Sequence, residues 1–444
     1  MANASPPAAL AGEPFVPRSV VVVGGGVVGL SCALWAQRAG HRVTLVEKNP
    51  PLPGIDYSGA ASYGNAATIA LSACLPLASP GIARQVPGML MDRRGPLSIF
   101  WRDLPDLLPW LLRFLSASTP AEVDRITSCL GALMRLAEEG HAPLMEESGV
   151  KGIKRALGCM HLFRSERSIQ AALPAIRRRQ REGVKLAVLG IDEIREREPN
   201  LAPLYAGGIF FPECYSIDTP ELYARGLLRA FLARSGTLVR GEASDVLRDA
   251  DTVSVAVDGA LVSAERLVIA AGAWSERLAG RLGERTGLGV ERGYHVVFRG
   301  GETLLTTPTL YPEDGFYMTP LSGGLRSAGT IELGGFGRPL RPARCEVIAR
   351  KTRAFLPGLG QHDAEWLGYR PSMPDSLPVI GPSPTDPRVI YAFGHGHVGL
   401  TLAGVTGRLV AELLAGRPPS LDIAPLRPDR FRMRPAPRPT GSPS

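Results

Sequence analysis

Three glycines and one acidic residue near the start of the chain have the types and spacing that bind a dinucleotide. Gly24, Gly26 and Gly29 stand in G-x-G-x-x-G spacing, and Glu47 follows 18 residues after the last of them. In such a unit the first glycine permits a tight turn, the second lets the backbone approach a pyrophosphate, and the third lets a helix pack against a strand. The acid accepts hydrogen bonds from the adenosine ribose. These four residues therefore predict an adenine dinucleotide site.

The segments around these residues have the order of elements that such a site requires. Four valines at 20–23 form an apolar run that is too short for a helix and is typical of a buried parallel strand. Residues 28–39 predict a helix that Gly40 ends, and residues 42–46 predict a second strand. The helix N-terminus would direct free N–H groups at the phosphates. The structural alternative, a glycine-rich turn in an ordinary α/β unit, does not require this complete order.

Composition and length limit the class of protein. The chain has 444 residues, enough for two domains, with 45% hydrophobic and 21% charged residues, as in a soluble globular protein. The net charge of +8 favours acidic small molecules or an anionic membrane surface, and no nucleic-acid motif is present. Six scattered cysteines without a C-x-x-C pair argue against a zinc site or a disulfide framework. We therefore expect a cytoplasmic protein without a metal centre.

Several segments outside the glycine unit have their own interpretations. Residues 1–17 lack a signal-peptide core and predict a disordered leader, residues 429–444 predict a disordered basic tail, and no apolar run reaches membrane-spanning length. Residues 100–119 predict an apolar helix face, which is either a core or lid helix or a docking face for a membrane or partner. That face comprises Leu104, Leu107, Leu108, Leu111, Leu112 and Leu115. A run of arginines on the predicted helix 165–183 indicates a solvated face. The run comprises Arg177, Arg178, Arg179 and Arg181.

The choice between NAD and FAD depends on how the glycine-rich turns are distributed. They lie in three separated segments, 19–47, 267–274 and 389–401. An NAD domain is normally continuous, whereas a flavin domain of the glutathione-reductase type is assembled from separated pieces. With the motifs VIAAGAWS, ERGYHVVF, GLRSAGTIEL, GYRPSMPDSLPVIG and YAFGHGHVGLTLAGVTGRL in this order, the chain resembles the FAD-dependent D-amino-acid oxidase and dehydrogenase family. It is especially similar to the bacterial D-amino-acid dehydrogenase small subunit and D-hydroxyproline dehydrogenases.

The resemblance implies an α/β protein with a Rossmann-like FAD-binding domain of the glutathione-reductase type. A second α+β substrate domain is expected on an antiparallel sheet. The FAD-binding domain would combine 18–90, 218–290 and 365–428, and the substrate domain would combine 91–217 and 291–364. Some relatives attach the flavin through a cysteine, but residues 368–382 contain none, so we expect non-covalent FAD.

The same resemblance implies the cofactor contacts. They are Gly24, Gly26, Val28, Gly29, Glu47, Lys48, Ser62, Tyr63, Gly64, Asn65, Ala66, Ala271, Gly272, Trp274, Gly394, His395, Gly396, Gly399, Leu400 and Thr401. Of these, Gly24, Gly26, Gly29, Glu47 and Lys48 would bind the ADP half of FAD. Residues 62–66 would lie along the pyrophosphate and the edge of the isoalloxazine ring. A helix beginning near Gly399 would direct its positive end to the flavin N1–C2=O region and stabilise the reduced flavin.

Substrate binding is expected to need an arginine that holds a carboxylate. The candidates are Arg326 and Arg370, because Leu321 stands where related oxidases place their arginine after the sheet-strand proline. Each is alternatively a structural ion-pair residue. Further candidates for the catalytic pocket are Tyr294 and His295, expected to face the flavin, with His397, Tyr63 and Tyr317. For the histidines and tyrosines, structural hydrogen bonding and core packing are the alternatives.

The resemblance implies hydride transfer from the Cα of a D-amino acid to flavin N5, with cis-4-hydroxy-D-proline as the specific substrate hypothesis. A glycine- or sarcosine-type oxidase that makes hydrogen peroxide is one alternative. A non-catalytic flavin-binding subunit of a larger complex is another. Three kinds of partner are left open. They are a quinone or another electron acceptor, the inner membrane as a peripheral contact, and further copies of the chain in an oligomer.

Overall fold

The computed structural model describes residues 16–91, 95 and 97–431. The predicted disordered leader and tail therefore lie almost entirely outside the described residues. Numbered in chain order, the strands are β1 (Ser19–Val23), β2 (Arg42–Glu47), β3 (Thr68–Ile69), β4 (Leu97–Ile99), β5 (Lys154–Arg155), β6 (Cys159–Phe163), β7 (Ala187–Leu189), β8 (Gly207–Phe211), β9 (Tyr215–Ile217), β10 (Thr237–Arg240), β11 (Ala243–Arg248), β12 (Val253–Val257), β13 (Ala260–Ala264), β14 (Arg266–Ile269), β15 (Gly289–Phe298), β16 (Thr309–Tyr311), β17 (Phe316–Leu321), β18 (Gly324–Leu333), β19 (Ala364–Ser372), β20 (Val379–Pro382) and β21 (Val389–Phe393). The helices are α1 (Val27–Arg38), α2 (Ile82–Met91), α3 (Leu104–Ser116), α4 (Pro120–Arg135), α5 (Ala137–Glu147), α6 (Glu166–Arg181), α7 (Ile191–Arg197), α8 (Pro220–Ala233), α9 (Ser275–Arg281), α10 (Pro342–Phe355) and α11 (Gly399–Leu414).

The first main sheet has six strands in the order β10-β2-β1-β14-β21-β20. The first five strands are parallel, and β20 runs antiparallel to β21. The valines of β1 are buried on both faces of the sheet, as the apolar run predicted, and α1 packs against α8 and α11 beside them. Helix α8 has a side-chain N-cap, because the Thr219 hydroxyl accepts a hydrogen bond from the amide of Leu222 at 3.1 Å.

The second main sheet has nine strands and is mostly antiparallel. Its path is β19-β15-β18-β17-β16-β6-β8-β7, and β4 pairs with the end of β18. Helix α10 covers one face, where a core forms around Tyr294, Val296 and Phe298. The whole of β19 belongs to this sheet, whereas the predicted boundary at residue 365 assigned most of it to the first unit. The two predicted kinds of sheet are thus both present, with β19 on the antiparallel side.

Helix α3 lies on the surface and exposes part of its predicted apolar face. Leu108, Leu112 and Leu115 are exposed, whereas Leu107 and Leu111 are half-buried. Trp110 anchors the helix, since its indole N–H donates to the carbonyl of Ser372 at 3.1 Å. Neither α3 nor any other helix in the described ranges is long and apolar enough to cross a membrane.

Candidate functional site

A cavity of about 890 Å³ lies between the two main sheets. One end is formed by the carboxyl ends of β1, β2, β14 and β21, which is where open parallel sheets bind ligands. The other end reaches the second sheet at β6, β15, β17, β18 and β19. A single elongated ligand lying along this cavity would therefore touch both sheets.

The glycine turn after β1 has the geometry of a dinucleotide cradle. Gly24 has a φ of +109°, and a Cβ there would lie 2.4 Å from the carbonyl oxygen of Ala270. A Cβ on Gly29 would lie 1.8 Å from the carbonyl oxygen of Gly24, so α1 touches the turn only because that side chain is absent. A Cβ on Gly26 would meet nothing nearer than the Ser62 hydroxyl at 3.5 Å. Gly26 thus leaves open space where a ligand's phosphates can approach the backbone.

Helix α1 presents its N-terminus to this open space. Its N-cap residue, Gly26, has no side chain to cap it, and no acid lies in its first turn. The Val27 amide donates to the Ser62 hydroxyl at 3.3 Å, while the described residues provide no partner for the amides of Val28 and Gly29. The Glu47 carboxylate accepts from the amides of Gly25 and Asn49 and lines the same end. The residues present therefore fit the ADP half of an adenine dinucleotide.

A loop at residues 63–66 forms the middle of the cavity wall and is held by side chains of the second sheet. Arg326 donates to the carbonyls of Tyr63 and Asn65, at 3.0 and 2.7 Å. The Thr319 hydroxyl donates to the carbonyl of Ala66 at 2.8 Å. With these carbonyls turned to the sheet, the amides of Gly64 and Ala66 have no partner among the described residues and are available to a ligand.

Arg326 is therefore a positioning residue for the 63–66 loop, and it does not line the cavity. Burial lowers its pKa to about 10, and no carboxylate pairs with it among the described residues.

We expect Arg326→Met to release the 63–66 loop. Two charge-assisted hydrogen bonds are lost, so the free energy of unfolding should fall by about 2–3 kcal/mol, and FAD affinity should fall with it. Chemical unfolding and a flavin titration measure the two effects, with Arg299→Met, an exposed arginine at the end of β15, as the control. Unchanged stability and flavin binding in Arg326→Met would contradict this role.

Two predicted pocket residues need correction. Tyr294 was expected to face the flavin, but its ring lies in the core beneath α10, and its hydroxyl bonds with Arg292 and Glu332. His295 projects from the opposite face of β15 because neighbouring residues in a strand alternate. Its ring stacks on Trp366 with centroids 4.9 Å apart, and Nδ1 lies 3.2 Å from the carbonyl oxygen of Gly64. Neither residue lines the cavity.

Arg370 and Glu291 bring opposite charges to the cavity wall. They are cross-strand partners on β19 and β15, and both line the cavity. A Cβ on Gly293 would lie 2.5 Å from the Arg370 Cζ, so the guanidinium lies flat over that glycine. Burial raises the pKa of Glu291, and the positive charge of Arg370 opposes that shift. The structure shows no direct ion pair between them, and one Glu291 carboxylate oxygen has no hydrogen-bond partner among the described residues.

The two histidines before α11 differ in whether their ring nitrogens are already hydrogen-bonded within the protein. His395 Nε2 lies 2.9 Å from the Thr406 hydroxyl, and burial lowers the His395 pKa to about 3. His397 lines the cavity, and the surrounding protein together with Arg370 lowers its pKa to about 4. Both rings are therefore neutral at pH 7, and His395 is held by the helix that follows.

The structure brings most of the predicted cofactor contacts to one cavity. Those that line it are Gly24, Gly26, Val28, Glu47, Lys48, Ser62, Gly64, Asn65, Ala66, Ala271, Gly272, Trp274, His395, Gly396, Gly399, Leu400 and Thr401. Gly29, Tyr63 and Gly394 lie behind the wall. Of the predicted substrate residues, Arg370, His397 and Tyr317 line the cavity. Helix α11 begins there without a side-chain cap or an acid in its first turn, so its positive end faces the cavity.

Sequence reasoning missed several wall residues. Glu291 and Trp366 share the cavity face of the second sheet with Arg370, and alternation along β19 was the available signal for Trp366. Arg179 and His161 lie at the far end of the cavity. The signal for Arg179 was helical spacing, because it continues the inward stripe of Ala172 and Ile176 on α6.

Comparison with known proteins gives a consistent family match. The model of the DAO family, described as FAD dependent oxidoreductase, matches residues 19–413. A D-amino-acid oxidase of Bradyrhizobium diazoefficiens is 38% identical over 421 residues, covering 93% of this chain and 99% of that protein. D-amino acid dehydrogenase 2 of Ralstonia nicotianae is 32% identical over 425 residues, covering 91% of this chain and 98% of that protein. The crystal structure of glycine oxidase from Geobacillus kaustophilus superposes with a TM-score of 0.72 at 26% identity, covering 93% and 99% of the two chains.

Proposed function

We propose, from the premise that this chain belongs to the DAO family of FAD-dependent oxidoreductases, that it oxidises D-amino acids at the cavity between its two sheets. FAD is the cofactor of that family, and the glycine cradle fits its ADP half. The names of the relatives, an oxidase and dehydrogenases of D-amino acids, support this substrate class. The side chains of the cavity wall independently favour an amino acid as the substrate.

The observation that carries the proposal is the pairing of Arg370 with Glu291 on the cavity wall. An amino acid is a zwitterion, and these neighbours offer one cation for its carboxylate and one anion for its ammonium group. A guanidinium fork matches a carboxylate in two parallel hydrogen bonds. The two side chains form no direct ion pair with each other, and one Glu291 carboxylate oxygen has no partner among the described residues, so both side chains can contact a substrate in the cavity.

Each residue has a separate role in the proposed reaction. Arg370 holds the substrate carboxylate and so fixes the orientation of Cα. Glu291 accepts the ammonium proton on its carboxylate, since the amine must be neutral before Cα loses hydride. The burial that raises the Glu291 pKa also makes this carboxylate a better proton acceptor. Bound FAD supplies the hydride acceptor.

The remaining wall residues support FAD and exclude water. The turn and the N-terminus of α1 would hold the pyrophosphate, and Glu47 the ribose. The first turn of α11 would place its positive end near the reduced ring system. No cysteine occurs in residues 368–382, so we infer non-covalent attachment.

The test is anaerobic flavin bleaching by amino acids added one at a time. The panel holds D-alanine, D-proline, cis-4-hydroxy-D-proline, their L-forms, glycine and sarcosine. Bleaching by D-forms supports the proposal, and bleaching by glycine or sarcosine alone would favour the amine-oxidase alternative. Oxygen consumption compared with quinone reduction then identifies the acceptor. FAD that stays oxidised with every member would overturn the proposal and favour a partner-dependent flavin-binding subunit.

The proton-transfer role of Glu291 has its own expected result. Glu291→Gln should slow flavin reduction at pH 7 by about 10²-fold, the usual range for a lost general base. The loss should shrink in alkaline solution, where the substrate amine deprotonates without help. Stopped-flow reduction across pH measures this, and Glu196→Gln, an exposed glutamate on α7, is the control. A constant deficit at every pH would contradict proton acceptance by Glu291.

The narrower substrate hypothesis, cis-4-hydroxy-D-proline, stays a prediction. The segments GYHVVF and FGHGHVGLT resemble the hydroxyproline-directed relatives, but in the first of them Tyr294 points to the opposite face of the sheet and His295 is covered by Trp366 and Gly64. His397 of the second remains on the wall and offers a neutral hydrogen-bonding ring. The panel decides between this imino acid and a broader range of D-amino acids.

We infer peripheral contact with an anionic membrane through α3. Leu108 and Leu112 are exposed together with Trp101, which neighbours the exposed Arg102, and the chain carries a net charge of +8. Leu108→Glu with Leu112→Glu should lower co-sedimentation with anionic vesicles at least about tenfold, since burial of two leucines is lost. The control pair is Val188→Glu with Ile191→Glu, exposed apolar residues elsewhere. Equal sedimentation of both double variants and of the unaltered protein would contradict this inference.

A further inference from the structure

Arg179 differs from its neighbours on α6. Arg178 and Arg181 both pair with Asp124, at 2.7 and 3.1 Å, on the outer side of the helix. Arg179 instead points inward and lines the far end of the cavity. The arginine run is therefore not one solvated face, and this one guanidinium needs a separate explanation.

The surroundings of Arg179 hold it in place without neutralising it. Its Nε donates to the carbonyl of Ser72 at 3.1 Å, and its Cζ lies 5.6 Å from the centroid of the Phe211 ring. None of the described carboxylates forms an ion pair with it. A partly buried cation is costly without a counter-charge. Its remaining N–H groups are therefore available to an anion that enters the cavity.

His161 lies beside this guanidinium on β6. Its ring packs edge-on against Phe211, with centroids 4.7 Å apart, and lines the same end of the cavity. Burial, aided by Arg179, holds the pKa of His161 well below its ordinary value, so the ring is neutral at pH 7. The described residues offer its ring nitrogens no hydrogen-bond partner. A neutral imidazole N–H next to a guanidinium is a suitable second donor for a carboxylate.

Two thiols are the competing source of negative charge. Cys159 lies near Cys214, whose Sγ is 3.4 Å from the Ser72 hydroxyl. A hydrogen bond from Cys159 lowers the pKa of Cys214 below that of an ordinary thiol. A Cys214 thiolate would therefore neutralise Arg179 in part, so any test must remove that thiol separately.

We propose that Arg179 and His161 form a second anion-binding subsite, which takes the side-chain carboxylate of an acidic D-amino acid whose α-carboxylate is bound by Arg370. This inference rests on the proposed function. A carboxylate suits the subsite better than a hydroxyl, because only an anion supplies the counter-charge that Arg179 lacks. The wall leading to it includes Ala70 and Ala73, small apolar side chains that leave room for methylene groups.

Turnover gives the first test. The substrates are D-aspartate, D-glutamate, their amides and D-alanine, and kcat/KM is measured for each. We expect Arg179→Met to lower kcat/KM for the acidic substrates by about 10- to 100-fold while D-alanine changes less than about threefold. His161→Gln should give a smaller loss in the same direction, and Arg181→Met, an exposed arginine of the same helix, is the matched surface control. An equal loss for all substrates, or no loss for any, would overturn the subsite.

Ligand binding without turnover gives the second test. The probes are glutarate and pentanoate, a dicarboxylate and a monocarboxylate with the same number of carbons, and perturbation of the flavin spectrum reports their Kd. The holoenzyme should prefer glutarate, Arg179→Met should remove the preference, and Cys214→Ser should keep it. Loss of the preference in Cys214→Ser, or its absence in the unaltered protein, would overturn the subsite. If no D-amino acid is oxidised, the proposed function fails, while the glutarate preference still decides the subsite.

Discussion

Replacement of Arg370 by methionine is expected to lower kcat/KM for D-amino acids by about 10²- to 10³-fold while FAD stays bound. The variant loses a charge-assisted fork on the substrate carboxylate, and truncating one partner of such a buried pair costs about 2–5 kcal/mol. The flavin should remain because the ADP cradle lies at the other end of the cavity. Steady-state kinetics and the flavin-to-protein absorbance ratio measure both quantities.

The pH profile distinguishes the charge of Arg370 from its shape. The positive charge of Arg370 lowers the pKa of Glu291, so its removal raises that pKa. Glu291 must be ionised to accept a proton, so the acidic limb of kcat/KM should move to higher pH in Arg370→Met. Arg370→Lys keeps the charge and loses the fork, so it should lose activity with little movement of that limb. Arg299→Met is the surface control.

A glycine substitution tests the same position without touching the arginine. Gly293→Ala would put a methyl group 2.5 Å from the Arg370 Cζ and displace the guanidinium. It should therefore raise the KM for D-amino acids, as we also expect of Arg370→Met. Gly323→Ala, whose Cβ would meet nothing within 4 Å, should behave like the unaltered protein. If Arg370→Met and Gly293→Ala both retain full activity, another residue binds the carboxylate.

The local unit around the glycine turn was predictable because its information is local. The valine run, the glycine spacing and the acid lie within 29 residues from Ser19 to Glu47, and the observed β1, α1 and β2 differ from the predicted bounds by about one residue. The choice between Arg326 and Arg370 was not local. It depends on which carbonyls reach Arg326 from a loop some 260 positions earlier in the chain, and strand spacing does not encode that contact.

Alternation was the rule that sequence reasoning failed to apply. Tyr294 and His295 are adjacent in a strand, so one of them had to point away from the cavity. The register of β15 shifts between Gly293 and Tyr294, and only the pairing with β18 shows which residue faces outward. The prediction of a solvated face for the arginine run on α6 was wrong at Arg179 for a different reason. The charge of the run suggested contact with solvent, whereas helical spacing places Arg179 on the inner stripe of the helix.

The other large effect is expected from Gly29→Ala, which should abolish FAD binding and destabilise the fold. The new Cβ would lie 1.8 Å from the carbonyl oxygen of Gly24, so α1 must move away from the turn. Overpacking of this kind costs about 1–3 kcal/mol or more, and the displaced helix no longer presents its N-terminus to the pyrophosphate. The variant should purify without flavin and unfold at lower denaturant concentration.

Gly26→Ala separates the cofactor from the fold. Its backbone, with φ at −65° and ψ at 170°, accepts alanine, and its Cβ would meet nothing nearer than 3.5 Å. The apoprotein should therefore unfold like the unaltered apoprotein, while the methyl group occupies the space that the pyrophosphate needs. We expect FAD affinity to fall at least about tenfold, a change of ~1.4 kcal/mol.

A flavin titration followed by tryptophan fluorescence, together with denaturant unfolding of the apoproteins, measures both variants. Gly280→Ala, whose Cβ would meet nothing within 4 Å, is the control. Gly29→Ala should lose affinity and stability together, and Gly26→Ala should lose affinity alone. Retention of FAD by both variants would mean that the ADP half binds elsewhere than at the turn after β1. Equal destabilisation by both would mean that the open space above Gly26 is filled by the protein, and the cradle would then have to be assigned to another part of the cavity.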